Sequence, residues 1–304
     1  MRVTVCLPEG AARWAADLQR ALGPQATVEP WQAGQAPADY AVLWKPPAEF
    51  LTAQPKLKAL FAAGAGVDAL RALPLPPGVP LVRLEDAGMG VQMAEYVLHA
   101  LLRWYRGFDR YANQAAAAAW WPQPPQRKAD WTVGLLGYGQ LAQPVAQALR
   151  GLGFPVQAWA RTQREADLPL FAGPAGLAPF LRSSRVLVAL LPLTEATRGL
   201  INAERLGQLP DQAYLINVAR GGLVVEADLL AALDSGRLAG AALDVCTPEP
   251  APPNHPFWRH PRIQLTPHIA AATLLEEAVV QIAAKIRALE AGQPISGVVG
   301  ADGY

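Results

Sequence analysis

The segment that most restricts the fold is WTVGLLGYGQLA at positions 131–142, in which an apolar run leads directly into a glycine-rich turn. Gly137, Gly139 and Ala142 give the spacing G-x-G-x-x-A. In dinucleotide-binding folds the first glycine permits the tight turn, the second lets the backbone approach a pyrophosphate, and the small third residue lets helix pack on strand. Phosphate oxygens then face the amides that begin the helix. The pattern predicts a parallel sheet that binds a dinucleotide at this turn.

Apolar runs alternate with helical patterns along the chain, which is typical of parallel sheets with helices on both faces. The expected strands of the first hundred residues are Val3–Leu7, Tyr40–Trp44, Leu57–Ala62 and Leu81–Leu84. A second series of strands is expected at Trp131–Leu136, Val156–Ala160, Val186–Leu191, Ala213–Val218, Ala239–Val245 and Ile263–Leu265. The expected helices are Ala11–Leu22, a long one from Gln92 to about Gln114, and roughly Leu275–Glu290.

The last of these helices comes too late in the chain to belong to the second sheet, so we expect it to pack on the first. Residues 1–98 and 270–304 would then form a discontinuous substrate domain, and residues 99–269 would form the cofactor domain. The predicted fold class is α/β with two doubly wound parallel-sheet domains. A Rossmann cofactor domain is inserted into a flavodoxin-like substrate domain.

The overall charge favours a small-molecule partner. A formal net charge of +1 and a pI near 7.8 provide no field for nucleic acid or an anionic membrane. Cys6 and Cys246 lie far apart, which favours unpaired thiols in a reducing compartment. The sequence shows no signal peptide, no long apolar run and no cluster of metal ligands at usable spacing. We therefore expect a soluble cytoplasmic protein without a bound metal.

The strand after the glycine turn ends in AWARTQRE, which puts Arg161 where an NAD enzyme usually has an acid. An acid would bind the ribose hydroxyls and repel a 2′-phosphate, whereas a guanidinium pairs with phosphate through two hydrogen bonds. Arg161, with Thr162 and Arg164 nearby, therefore favours NADPH, and NADH remains the alternative cofactor. The competing interpretation is that these arginines are solvated loop residues.

Three ionisable residues follow strands downstream of the turn: Arg220 in NVARGG, Glu249 in DVCTPEP and His268 in TPHIAAAT. Ligands of open α/β sheets bind at the carboxyl ends of the strands, so we expect one crevice to hold all three. A guanidinium can grip a carboxylate and a carbonyl oxygen that becomes negative. A carboxylate beside an imidazole favours the protonated ring, a competent acid near neutral pH. The set predicts reduction of a 2-oxo acid by hydride transfer.

The chain resembles the D-isomer-specific 2-hydroxyacid dehydrogenases over nearly its whole length. The motifs that carry the resemblance are GAGVD from Gly64, GYGQLA from Gly137, LLPLTEATRGLIN from Leu190, NVARGG from Asn217, ALDVCTPEP from Ala242 and TPHIAA from Thr266. Within this family the chain most resembles the branch that reduces glyoxylate and hydroxypyruvate. The motifs that indicate this branch are WKPP from Trp44, RLEDAGMG from Arg83, PFWRHPRI from Pro256 and the terminal GY. Two positions depart from the family pattern: Ala142 replaces the third glycine, and Cys246 stands where an aromatic residue is frequent.

The resemblance implies that Arg220 binds substrate, that Glu249 supports His268, and that His268 donates the proton. The reaction it implies is NADPH-dependent reduction of glyoxylate to glycolate or of hydroxypyruvate to D-glycerate. The implied substrate-binding residues are Trp44, Lys45, Ala65, Gly66 and Val67. The implied cofactor-binding residues are Gly137, Gly139, Gln140, Leu141, Arg161, Thr162, Leu191, Pro192, Val218, Ala219 and Asp244.

The resemblance also implies a homodimer through the cofactor domain, with residues 92–121 as the interface. Trp120 and Trp121 close this segment, and the alternative is that they fill the core. Two other functions stay open. One is an NAD-linked D-2-hydroxyacid dehydrogenase that acts on a larger 2-oxo acid. The other is a non-catalytic nucleotide-sensing protein of the same fold.

Overall fold

The computed structural model describes residues 1–300, which divide between two compact units. The first comprises Met1–Met89 and the chain from Thr273 onward, and the second comprises Gly90–Ala272. The sequence prediction set these boundaries after residue 98 and after residue 269. The terminal GY lies outside the described residues. No helix among residues 1–300 combines the length and the apolar composition needed to cross a membrane.

The strands and helices of the described residues alternate along the chain. The strands are β1 (Arg2–Cys6), β2 (Thr27–Pro30), β3 (Tyr40–Leu43), β4 (Ala59–Ala62), β5 (Leu81–Val82), β6 (Val133–Leu136), β7 (Val156–Ala160), β8 (Leu170–Ala172), β9 (Val186–Ala189), β10 (Ala213–Asn217), β11 (Leu238–Leu243) and β12 (Ile263–Leu265). The helices are α1 (Ala11–Leu22), α2 (Asp68–Arg71), α3 (Met89–Tyr105), α4 (Phe108–Ala116), α5 (Ala142–Gly151), α6 (Gly173–Ser183), α7 (Ala203–Leu206), α8 (Glu226–Asp234) and α9 (Leu275–Glu290).

The first unit is built on a five-stranded parallel sheet in the order β2-β1-β3-β4-β5. This is the flavodoxin-like order, so that prediction is confirmed. Helix α9 packs beside α1, and its carboxyl end binds back to the sheet, where the hydroxyl of Tyr40 donates to Glu290 at 2.7 Å. The final helix therefore belongs to the first unit, as predicted. Strand β2 was missed by the sequence prediction.

The second unit is built on a seven-stranded parallel sheet in the order β12-β11-β10-β9-β6-β7-β8. From β8 to β11 the six strands follow the Rossmann order, and β12 is added beside β11. The predicted Rossmann sheet is confirmed, but the predicted count of six strands is wrong. The strand that the sequence prediction missed, β8, has three half-buried residues at the sheet edge. A short edge strand lacks the fully buried apolar run by which the central strands are recognised.

The long helix predicted from Gln92 to about Gln114 is wrong, because the chain forms two helices there. Gly107 has a φ of +67° and separates α3 from α4. A left-handed residue of this kind ends a helix, and glycine adopts it without a steric cost. Helix α4 buries none of its residues, and Trp120 and Trp121 are 93% and 71% exposed. The alternative that these tryptophans fill the core of the chain is therefore wrong.

Candidate active site

The carboxyl ends of the seven parallel strands share one edge of the second unit's sheet. Every predicted cofactor or catalytic residue of this unit follows one of these ends. The residues are Gly137, Gly139, Gln140 and Leu141 after β6, Arg161 and Thr162 after β7, Leu191 and Pro192 after β9, Val218, Ala219 and Arg220 after β10, Asp244 and Glu249 after β11, and His268 after β12. The topology thus gathers motifs that are far apart in the sequence.

The turn after β6 has the geometry that a pyrophosphate requires. Gly137 has a φ of +110°, and a Cβ there would lie 3.0 Å from the carbonyl carbon and oxygen of Leu190. A Cβ on Gly139 would meet no atom within 4 Å, so the backbone is open to a ligand at that point. Helix α5 begins three residues later, so the turn leads directly into the amino-terminal end of a helix, where anions bind favourably. These residues fit the phosphate part of a dinucleotide.

Cationic side chains stand beside this turn. Arg161 and Thr162 directly follow β7 and are exposed. The guanidinium of Arg164 lies 5.6 Å from the centre of the Tyr138 ring, which is part of the glycine turn. Asp167 accepts a hydrogen bond from the Tyr138 hydroxyl at 2.8 Å. An exposed arginine next to the glycine turn fits a 2′-phosphate on the adenosine ribose.

Arg220 is positioned by a buried asparagine at the end of β10. The Asn217 side-chain amide donates to the Arg220 carbonyl at 3.0 Å, and its oxygen accepts from the Ala219 amide at 3.1 Å. Asn217 is 1% exposed, so the turn is fixed from inside the sheet. The Arg220 guanidinium is half-buried and donates to the Ala219 carbonyl at 2.6 Å. Sequence reasoning did not identify Asn217 as the residue that braces this turn.

The glycine after Arg220 lets the loops that follow β10 and β11 touch. A Cβ on Gly221 would lie 2.1 Å from the carbonyl oxygen of Cys246. No side chain fits in that space, because real Cβ atoms do not approach backbone oxygen so closely. Gly221 therefore brings the turn of Arg220 against the loop that leads to Glu249.

Glu249 and His268 form a hydrogen-bonded pair. Oε2 of Glu249 lies 2.8 Å from Nδ1 of His268, and Oε1 accepts from the Cys246 amide at 3.2 Å. Burial alone would raise the pKa of the Glu249 carboxyl. The hydrogen bond and charge of His268, the Cys246 amide and the charge of Arg220 outweigh burial and hold this pKa below its usual value. The carboxylate thus stays ionised beside His268, and Nε2 is the ring nitrogen left to face a substrate.

Asp244, which was predicted to contact the cofactor, holds the loop of His268 in place. Both of its carboxylate oxygens accept hydrogen bonds from that loop. It is 1% exposed, and its carboxylate accepts from the amides of Ile269 and Ala270 at 2.8 and 2.7 Å. The Thr266 hydroxyl donates to the same carboxylate at 2.6 Å. Sequence reasoning missed this bracing of the loop. Contact between Asp244 and the cofactor stays a prediction.

The predicted substrate-binding residues belong to the first unit. Trp44 and Lys45 follow β3, and residues 65–67 follow β4 and lead into α2. A Cβ on Gly64 would lie 3.3 Å from the Trp44 ring, so Gly64 allows the tryptophan to pack on the backbone that precedes residues 65–67. The two segments therefore lie side by side at the carboxyl edge of the five-stranded sheet. Their part in binding a substrate stays a prediction.

Comparison with known proteins gives consistent matches. Residues 98–270 match the model of the family described as D-isomer specific 2-hydroxyacid dehydrogenase, NAD binding domain. The chain is 50% identical over 297 residues to a glyoxylate/hydroxypyruvate reductase A of Serratia proteamaculans, a match that covers 95% of each protein. A D-isomer specific 2-hydroxyacid dehydrogenase of Xanthobacter autotrophicus, solved with NADPH and MES, superposes with a TM-score of 0.93 at 39% identity over 98% of each chain. An NADPH-dependent glyoxylate/hydroxypyruvate reductase of Sinorhizobium meliloti, solved with NADP and sulfate, gives 0.92 at 36% identity over 100% of this chain and 99% of that one.

Proposed function

Since the chain belongs to the D-isomer specific 2-hydroxyacid dehydrogenase family, we propose that it is an NADPH-dependent reductase of small 2-oxo acids, converting glyoxylate to glycolate and hydroxypyruvate to D-glycerate. The observation that carries the proposal is the 2.8 Å pair of Glu249 and His268, with Arg220 close enough to help lower the pKa of that carboxyl. The names of the Serratia and Sinorhizobium proteins support the choice of substrate.

Each of the three side chains has one task in this reaction. The Arg220 guanidinium donates to the 2-oxo oxygen and stabilises the negative charge that grows there. His268 gives its Nε2 proton to that oxygen, and Glu249 keeps the ring oriented. Bound NADPH supplies the hydride that reduces the carbonyl carbon.

The direct test of the proposed function is an assay of purified protein with NADPH or NADH and a panel of 2-oxo acids. We expect glyoxylate and hydroxypyruvate to give the highest kcat/KM, with NADPH preferred. A preference for a bulkier acid with NADH would favour the NAD-linked alternative. Tight nucleotide binding without turnover of any acid would contradict the proposal and favour the nucleotide-sensing alternative.

We expect the Arg161→Asp variant to lose most of its preference for NADPH. The change removes the guanidinium and places a carboxylate beside the 2′-phosphate. Hydrogen bonds to charged groups contribute about 1.5–3 kcal/mol each, so KM for NADPH should rise on the order of 10- to 100-fold. KM for NADH should change little. The matched control is Arg182→Asp, the same charge change on an exposed residue at the end of α6. Equal use of both cofactors by the unmodified protein would contradict the assignment.

We also propose that the protein is a homodimer through the cofactor unit. Helix α4 buries none of its residues, and the exposed Trp120 and Trp121 follow it. Tryptophans are rarely left so exposed unless a partner covers them. We expect the double variant Trp120→Ser and Trp121→Ser to shift the mass measured by light scattering from dimer toward monomer. Val280→Ser, at another exposed apolar residue, should leave the mass unchanged. A monomeric unmodified protein would contradict the dimer.

The proposed location is the cytoplasm. Cys6 and Cys246 are both buried and unpaired, and burial raises the pKa of each thiol to about 11. Protonated buried thiols of this kind suit a reducing compartment, where disulfides do not form. Fractionation of cells that express the protein at its natural level tests this location.

A further inference from the structure

His268 has a backbone conformation that its residue type disfavours. Its φ is +57°, in the left-handed region. For a residue with a Cβ this region costs about 1–2 kcal/mol, and it persists only when the surrounding structure imposes it. The proposed proton donor therefore depends on whatever holds this loop.

Asp244 supplies that restraint with three consecutive hydrogen bonds. Its carbonyl accepts from the His268 amide at 2.9 Å, its Oδ1 from the Ile269 amide at 2.8 Å, and its Oδ2 from the Ala270 amide at 2.7 Å. Its own amide donates to the Asn217 carbonyl at 2.9 Å, which fixes Asp244 to the end of β10. A small rotation of the Asp244 side chain would release the amides of Ile269 and Ala270 together.

Two hydroxyl groups fix the rotation of that side chain. The Thr266 hydroxyl donates to Oδ1 of Asp244 at 2.6 Å, and the Tyr96 oxygen lies 2.6 Å from the Thr266 oxygen. A hydroxyl has one proton, and Thr266 gives its proton to a carboxylate that only accepts. The Tyr96 hydroxyl must therefore be the donor to Thr266.

The Tyr96 phenol is suited to this donor role. Burial raises the pKa of Tyr96 to about 12, and the negative charge of Asp244 acts in the same direction. The phenol therefore keeps its proton at neutral pH. Tyr96 lies on α3 and is half-buried, so its ring position is set by the packing of that helix.

We propose that Tyr96 is a positioning residue for the proton donor, acting through Thr266 and Asp244 on the backbone of residues 268–270. The inference rests on the proposed function for its kinetic consequence. Tyr96 does not touch the reacting groups itself. It holds the chain of hydrogen bonds that keeps His268 left-handed and its ring beside Glu249.

The first test is the Tyr96→Phe variant, which removes one oxygen and keeps the ring. We expect kcat for glyoxylate to fall about tenfold, while KM and the NADPH dissociation constant stay within about twofold, because ring position affects proton transfer more than binding. The matched control is Tyr105→Phe, which lies on the same helix and loses a hydroxyl bonded to the Gln126 carbonyl at 2.8 Å. The control should keep the kcat of the unmodified protein.

A double-mutant cycle separates positioning from general loss of packing. In a Thr266→Val background the Tyr96 hydroxyl loses the partner that it has among residues 1–300, so adding Tyr96→Phe should change kcat by less than about twofold. Thr266→Ser keeps the hydroxyl and should restore most of the activity. Independent, multiplicative effects of the two substitutions would overturn the inference.

The second readout does not depend on turnover. Amide hydrogen exchange of residues 268–270, measured by NMR, should accelerate in Tyr96→Phe and stay unchanged in Tyr105→Phe. If the unmodified protein reduces no 2-oxo acid, the proposed function fails, and the exchange measurement still decides the structural part of the inference. Unchanged exchange at residues 268–270 in Tyr96→Phe would overturn it, whatever the activity.

Discussion

His268→Ala is expected to lower kcat for glyoxylate by on the order of 10²- to 10⁴-fold, the usual contribution of a positioned general acid. The variant loses the proton donor, whereas the glycine turn and Arg161 are untouched. The dissociation constant of NADPH, measured by fluorescence titration, should therefore stay within about twofold. Near-normal turnover would show that another group, or water, donates the proton.

A matched control is available in the same unit. Nε2 of His260 lies 3.2 Å from an Asp234 carboxylate oxygen, a second histidine–carboxylate pair away from the strand ends that hold the proposed site. His260→Ala should leave kcat unchanged.

The same His268→Ala variant tests the pair without any assay of turnover. His268 is the main group that lowers the pKa of Glu249 against the opposing effect of burial. Its removal should therefore raise the pKa of this carboxyl, and NMR titration of labelled glutamate measures the change. An unchanged Glu249 titration would contradict the pairing itself.

Arg220→Gln is expected to lower kcat/KM for glyoxylate by on the order of 10²- to 10³-fold, the cost of losing a group that stabilises a developing oxyanion. Glutamine keeps part of the side-chain length and two N–H donors but has no charge. The loss should appear mainly in kcat, because the oxygen carries full charge only in the transition state. Arg182→Gln, at an exposed position on α6, is the control and should behave as the unmodified protein. A rise in KM without a fall in kcat would indicate that Arg220 binds the substrate without stabilising the transition state.

The helices at the two ends of the first unit were predicted with the bounds that the structure shows. Ala11–Leu22 and Leu275–Glu290 have apolar residues at helical spacing, and the buried residues of α1 are three of those positions. Central strands such as β6 and β9 were predicted because every residue in them is buried and apolar or small. Edge strands β2 and β8 were missed because they have few buried residues and so resemble loops.

The placement of the three ionisable residues at one edge of the sheet could be predicted because each follows a strand, and parallel strands end at one edge. The hydrogen bonds that support them could not. Tyr96 and Thr266 are 170 residues apart. No sequence pattern indicates which residue a tyrosine in the middle of a helix will bind through its hydroxyl group. The contact of Gly221 with Cys246 was also missed, because it depends on how two loops meet. Such contacts follow from tertiary packing, which a single sequence does not display.

The proposed reaction requires Arg220 and His268 to act on the same oxygen atom. A crystal structure with NADP and a non-reducible 2-oxo acid analogue such as oxamate measures this directly. We expect the guanidinium of Arg220 and Nε2 of His268 each to lie within about 3.2 Å of the analogue's carbonyl oxygen. An analogue bound with that oxygen out of reach of either group, or with the two groups on different ligands, would contradict the proposed reaction.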